Sequence, residues 1–217
     1  MPTIVSISVS RVRSLGTPDA PDAMDRPWTT GFFKEPVVGA VRFDAEGVAG
    51  DEQADRVNHG GPEKAVLAYS AHHYPDWRTE LGLPELPFGA FGENLTIDGS
   101  TEADVCIGDR WGAGEVLFEV SQPRQPCWKL ARRWRVKSLP AAVVQTGRTG
   151  WYLRVLTGGV LSAGCGWELI DRPNPEWTIR RSNEVMHFHK YDGDASLELA
   201  AVPGLSASWR SGLRVRS

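Results

Sequence analysis

The chain has 217 residues, 41% of them hydrophobic and 24% charged, enough apolar material to bury a substantial core as one large domain or a domain with a small appendage. A formal net charge of −3, with acids and bases interspersed, gives no broad basic field, so no nucleic-acid partner is expected. No stretch approaches the roughly 18 to 20 consecutive apolar residues of a membrane span, and the opening MPTIVSISVSRVRSLG lacks the apolar run of an export signal; a cytoplasmic protein with no membrane partner is expected.

From Thr3 to about Arg13 the spacing of Ile4, Ile7, Val9 and Val12 predicts a strand. Ser14 to Gly31 is rich in Pro, Gly and Asp and has no period, which marks either a mobile loop or one that covers a site. A β-branched run follows from Val37 to Phe43, with a turn at Ala45 to Gly47. Ala68 to Gly82 places Tyr69, His73, Trp77 and Leu81 four apart, the stripe of an amphipathic helix with Pro75 in its first turn or kinking it. Further short strands are expected at ENLTI, EVLFEVS, WYLRVL and GWELI, each bounded by Gly or Pro. Many short strands with few helices between them point to a mainly β chain, a barrel or a sandwich. Beyond DRPNPEW the strand signals stop, and RSNEVMHFH, DASLELAAV and LSASWRSGL read as three short helices, with Leu205, Trp209 and Leu213 on one face. Residues 1–175 are therefore taken as a β domain and 176–217 as a helical module too small to be stable alone. That module could dock on the β domain or support a homodimer.

Three cysteines without C-x-x-C spacing fit neither a disulfide framework nor a four-ligand zinc site. Cys106, in an apolar run, reads as a buried structural thiol, and Cys165, in a Gly-rich turn, as another. Cys127 differs. It lies in SQPRQPCWKL, with Pro126 suited to a first helical position, so that the thiol falls in the first turn near Arg124, Lys129 and Arg132. Helix N-termini and nearby cations favour the thiolate, and two prolines hold the segment before any ligand arrives. The alternative is a small hydrophobe packed under Trp128.

Two other clusters carry polar chemistry. In GDEQADRVNHGGPEKAV, Gly60 and Gly61 let backbone amides approach a ligand and Lys64 offers a point charge suited to phosphate, while His59 either contributes or caps the turn. Asp51, Asp55 and His59 would share a metal-ligating face if the segment were helical, but Gly50 and Val57-Asn58 argue against a helix. In GAFGENLTIDG, Asn94 either reads the edge of a heterocycle or satisfies its own turn. Trp128, Trp151 and Tyr152 are either core aromatics or a stacking surface for a planar substrate.

Taken together in order and spacing, DEQADRVNHGGPEKAV, FGENLT, IGD, SQPRQPCWKL, TGRTGWYLRVL and the closing segment through SASWR resemble bacterial MOSC-domain proteins of the YiiM-like branch, the type linked to resistance to 6-N-hydroxylaminopurine. The resemblance runs from about Val38 to the C-terminus. It implies a closed β-barrel (MOSC-like) with inserted helices and a C-terminal three-helix module. It also implies the molybdenum cofactor (molybdopterin), reduction of N-hydroxylated compounds such as hydroxylaminopurines and amidoximes, and, more loosely, pyridoxal phosphate binding. By the same resemblance Cys127 is the catalytic residue and molybdenum ligand, His59, Gly60, Gly61 and Lys64 line the cofactor pocket, Asn94 and Thr96 contact the pterin, and Arg124 meets phosphate or pterin. No G-x-G-x-x-G fingerprint is present, so an electron-donating reductase is expected as a separate partner. The chain departs from the family where Gly164-Cys165 replaces a usual Gly-Asp, a loss expected to weaken a turn. Two rivals stay open: a metal-free cysteine hydrolase or transferase with His59 as base, and a cofactor carrier without turnover.

Overall fold

The computed structural model describes residues 1–55, 60–189 and 192–215. They contain thirteen short strands: β1 Thr3–Val9, β2 Arg13–Leu15, β3 Trp28–Thr30, β4 Glu35–Pro36, β5 Val41–Asp44, β6 Gly47–Val48, β7 Val66–Ser70, β8 Leu95–Asp98, β9 Arg110–Ala113, β10 Val116–Pro123, β11 Trp151–Thr157, β12 Gly159–Leu161 and β13 Glu168–Asp171. Six α-helices accompany them among the described residues: α1 Tyr74–Leu81, α2 Trp128–Trp134, α3 Leu139–Thr146, α4 Ile179–His187, α5 Gly193–Ala201 and α6 Ala207–Arg214.

Eight strands form one curled sheet in the order β13-β9-β10-β11-β7-β8-β1-β4, antiparallel throughout except for β7 against β8. Parallel neighbours require a crossover, and α1 supplies it. The two sides of this sheet are then joined by the segment leading into β13. Ile4 N donates to Cys165 O at 2.9 Å, Gly164 N to Ile4 O at 2.7 Å and Trp167 N to Pro2 O at 2.9 Å, while the next residues pair with β9. Those bonds bring the chain back onto β1 and close the barrel, which leaves that edge satisfied. A three-stranded sheet, β12-β5-β6, completes the wall. The backbone of Gly164 and Cys165 makes the bonds of this seam, and the Cys165 side chain packs against the barrel core.

Side-chain alternation along β10, with Val116, Phe118 and Val120 inward, builds that core with Ile4, Phe43, Trp111, Leu153 and Trp167. Trp111 and Trp167 stack at 5.2 Å and Phe43 meets Phe118 edge-on at 5.7 Å. A second apolar cluster, with Tyr69, Trp77, Phe91, Leu130 and Val143, fills the space under α1 to α3. The C-terminal helices join the barrel core itself: Leu205, Trp209 and Leu213 are all buried in it, as their spacing predicts.

Four expectations are corrected. The helix in Ala68 to Gly82 begins at Tyr74; Tyr69 belongs to β7 and His73 to a 3-10 turn, so the four-residue spacing before Tyr74 was a coincidence of strand and turn. Ser70 caps that turn by accepting from His72 N, which ends the strand, and Pro75 takes an early helix position. The first strand stops at Val9, and Val37 to Phe43 is split, with the strand proper at Val41–Asp44. Pro126 precedes α2, and Cys127 is its N-cap with extended φ −115° and ψ 167°, one step before the first turn.

Candidate functional site

An open cleft lies beside the N-terminus of α2. Its lining includes Cys127, Lys129, Arg124, Lys64, Asn94 and Tyr152, residues from four separate stretches of sequence. Cys127 is partly exposed and, although it holds the N-cap position, its side chain makes no capping bond. The thiol is therefore presented to the cleft without a structural task.

Arg124 is buried, 3% exposed, at the end of β10. Its Nη2 donates to Phe91 O at 3.0 Å, whereas Nη1 has no hydrogen-bond partner among the described residues. A buried guanidinium nitrogen without a partner is costly, and in a cleft wall it suits an anionic group. The backbone around it is fixed: Arg124 N donates to Gly150 O at 3.0 Å, Gly150 N donates to Glu102 Oε1 at 2.7 Å, and Glu102 Oε2 meets His73 Nε2 at 2.6 Å. Gly150 sits at φ +74°, and a Cβ there would lie 2.4 Å from Ala68 O, so the position admits only glycine.

Lys64 closes a 3-10 turn, Pro62–Lys64, entered through Gly61 at φ +87°. Burial pushes its ammonium below the ordinary lysine value, while Glu63 and Asp55 act the other way. Tyr152 is buried beside Arg124 and Cys127; burial is the main cause that pushes its phenol up to about 12, so it carries its proton at neutral pH. Trp151, the neighbour on β11, points into the barrel core and is not among the lining residues.

The opposite wall rests on charge pairing that sequence reading missed. Lys34 Nζ donates to Asp51 Oδ1, both side chains nearly inaccessible, and burial lowers the Lys34 pKa against the pull of Asp51. Asp51 also accepts from Ser10 N at 2.8 Å and from Asn94 Nδ2 at 3.0 Å. Asn94 Nδ2 donates to Ser8 O as well, at 3.2 Å, and its Oδ1 accepts from Leu67 N at 3.1 Å. Its polar atoms are thus engaged within the protein, and it serves the cleft as a strut. Thr96 does not line the cleft; its Oγ1 donates to Glu93 Oε1 at 3.2 Å. Asp51 is neutralised by Lys34, and no group of three or more His, Cys, Asp or Glu is placed to hold a metal among the described residues. His59 lies outside the described residues, Gly60 is partly buried, and Gly61 enters the Lys64 turn.

The Pro-rich segment reaches the cleft only at its C-terminal end. Thr30, Gly31 and Phe32 line the cleft, and the residues before them are tied to α2. Arg132 donates to Arg26 O at 3.0 Å and to Ala23 O, Arg135 pairs with Asp25, and Trp28 meets Trp128 at 5.5 Å. Arg132 therefore faces the loop and stacks on both indoles, at 4.8 Å from Trp128 and 5.6 Å from Trp28. Trp128 is half exposed at this rim. Cys106 and Cys165 are not among the residues that line the cleft.

Residues 55–166 match the model of the MOSC domain, and residues 177–216 match that of the YiiM-like 3-alpha helix domain. YflK of Bacillus subtilis is 43% identical over 198 residues, 91% of this chain and 89% of that protein. A protein of Gibberella moniliformis named "Reductase" is 39% identical over 178 residues, 81% of this chain but only 32% of that protein. The crystal structure of YiiM from Geobacillus stearothermophilus superposes with a TM-score of 0.83 at 36% identity, covering 100% of this chain and 99% of that one. No helix among the described residues is long and apolar enough to cross a membrane. A curled barrel, a cleft that gathers the conspicuous motifs, and a helical module docked behind it agree with these likenesses: the chain belongs to the MOSC-domain family, in its YiiM-like branch with the 3-alpha helix domain.

Proposed function

We propose that this protein is a molybdenum-cofactor-dependent reductase of N-hydroxylated compounds, with Cys127 as the protein's ligand to the metal. The observation that carries the reading is the unpartnered Nη1 of buried Arg124 in a cleft that also holds the Cys127 thiol and the ammonium groups of Lys64 and Lys129. An anionic, phosphate-bearing cofactor with a soft metal asks for that set of donors: cations for the phosphate and a thiolate for molybdenum. The cofactor would supply two-electron redox chemistry at the metal.

The protein's own residues hold and orient. Arg124 and Lys64 meet the anionic end of the ligand, with the backbone of Gly60 and Gly61; His59, next to them in sequence, is assigned to the same task. Asn94 braces the wall through Asp51 and Leu67, and Thr96 acts through Glu93. Tyr152, which keeps its Oη proton at neutral pH, is a hydrogen-bond donor beside Cys127. The loop before β3 is tied to α2 beside this surface. The overall reaction is R–NHOH plus two electrons and two protons to R–NH2 and water, on a hydroxylaminopurine or an amidoxime. The electrons come from a separate reductase.

Molybdenum per chain, measured on wild type and Cys127→Ala from a host that loads another molybdoenzyme, tests the reading. Near-stoichiometric metal in wild type, lost or labile in Cys127→Ala and retained in Cys106→Ala and Cys165→Ala, is expected. Reduction of benzamidoxime with an artificial donor should follow the metal content. Metal without reduction would indicate a cofactor carrier, and an active chain without molybdenum, inactivated by alkylation, would indicate a cysteine hydrolase or transferase.

A further inference from the structure

No residue lining the cleft comes from α4, α5 or α6. Even so, one bonded path joins these helices to the turn that carries Lys64. The Glu63 carboxylate accepts from Ala207 N, the first residue of α6, at 3.1 and 3.0 Å from its two oxygens. The same carboxylate accepts from Arg154 Nη2 at 2.7 Å, and Arg154 Nη1 donates to Gly204 O at 2.7 Å. The Glu63 carbonyl accepts from Ser121 Oγ at 2.5 Å, and Ser121 O accepts from Ser206 N at 2.9 Å. Glu63 is thus held at both ends by groups whose other bonds run to the turn before α6.

We propose that the C-terminal three-helix module sets the position of the Gly60–Lys64 turn through Glu63, so that anion binding in the cleft depends on a module that does not line it. Glu63 is a positioning residue, one place before the cation it orients. A helix start with a free N–H at Ala207 and a carboxylate from another part of the chain fit each other, since a carboxylate is favoured at a helix N-terminus. The bond fixes the 3-10 turn from its outer side, while Lys64 N, donating to Gly61 O at 2.9 Å, fixes it from within. Glu63 also opposes the loss of charge that burial imposes on Lys64. The proposal rests on the reading that Lys64 meets the anionic end of the cofactor, and it assigns the 3-alpha helix domain a task in that binding.

Two probes on the full-length chain test it. Pterin released per chain, read by its fluorescence after oxidation, reports cofactor retention, and inorganic phosphate titrated against tryptophan fluorescence reports anion affinity without the cofactor. Glu63→Ala and Lys64→Ala should each weaken both by roughly tenfold, the scale on which supporting residues act on ligand sites. Glu63→Gln, whose amide oxygen still accepts from Ala207 N, should recover most of the loss. Asn174→Ala is the structural control: its Nδ2 bonds to Ile107 O at 2.9 Å and Pro203 O at 3.0 Å anchor the turn before α6 without reaching Glu63, so it should lower thermal stability and leave binding within about twofold. A folded Glu63→Ala protein with wild-type pterin and phosphate affinity would overturn the proposal, as would Asn174→Ala losing as much binding as Glu63→Ala. A wild type that binds phosphate in a Glu63-dependent way but carries no pterin would overturn the cofactor reading and leave the positioning role standing. A wild type that binds neither would overturn both.

Discussion

Arg132 on α2 donates to the carbonyl of Arg26 at 3.0 Å, across 106 residues of sequence. With the bond to Ala23 O and the two indole contacts, it fastens the loop ahead of β3 to the helix capped by Cys127. Arg132→Ala should loosen that attachment at a cost of about 1 kcal/mol in unfolding free energy. Alkylation of Cys127 by iodoacetamide should then be several-fold faster than in wild type, while Lys137→Ala leaves the rate unchanged. Equal rates in the two variants would mean the loop does not limit access.

The Lys34–Asp51 pair stands in the cleft wall with both side chains out of solvent. Removing one partner leaves an uncompensated buried charge, so Lys34→Met should destabilise the fold by roughly 3–5 kcal/mol in urea unfolding. A loss below about 1 kcal/mol would show that Ser10 N and Asn94 suffice to hold Asp51.

Burial, and then the carboxylate of Asp109, push the Cys106 thiol up to about 11 from 9.0. Between those values the folded chain binds more protons than the unfolded one, so this group's contribution to stability is complete below pH 9 and is lost as pH rises towards 11. The loss is bounded by about 2.7 kcal/mol. Unfolding free energy between pH 8 and 11 should fall less steeply in Cys106→Ala than in wild type, and parallel profiles would contradict this.

Gly150 should tolerate no side chain. Gly150→Ala combines a left-handed backbone with a contact on Ala68 O, and should cost roughly 2 kcal/mol or more in thermal unfolding. Because Gly150 O accepts from Arg124 N, phosphate affinity should fall with it. A stable Gly150→Ala protein with unchanged affinity would remove this backbone link from the site.

Local pattern carried the sequence reading as far as local physics reached. Alternation made β10 and β11 legible, and turn residues separated the three C-terminal helices. The start of α1 was lost because a Ser cap and a 3-10 turn interrupt a spacing that looks helical across β7. In the site, Cys127, Arg124 and Lys64 announce themselves by residue type beside Pro and Gly. Lys34 does not: its partner lies 17 residues away, and nothing in a Phe-Phe-Lys-Glu stretch signals that the ammonium is buried. The hold of Arg132 on the loop is hidden for the same reason, since it needs α2 and the loop to be folded against each other.

The seam between Ile4 and Gly164-Cys165 also bears on how the protein is made. Contacts of long sequence separation are slow to form, because loop closure precedes any gain from pairing. During synthesis the first strand emerges with its partner some 160 residues away on the ribosome. β4, at residues 35–36, and β8, at residues 95–98, can pair with it earlier, but the barrel stays open at the Ile4 seam until nearly the whole domain has left the exit tunnel. The helices that follow β13 arrive last and dock on a wall whose closure has just become possible. A nascent chain arrested before residue 164 is accordingly a half-zipped sheet with a bare edge, the form in which this fold is most exposed to aggregation and to chaperones.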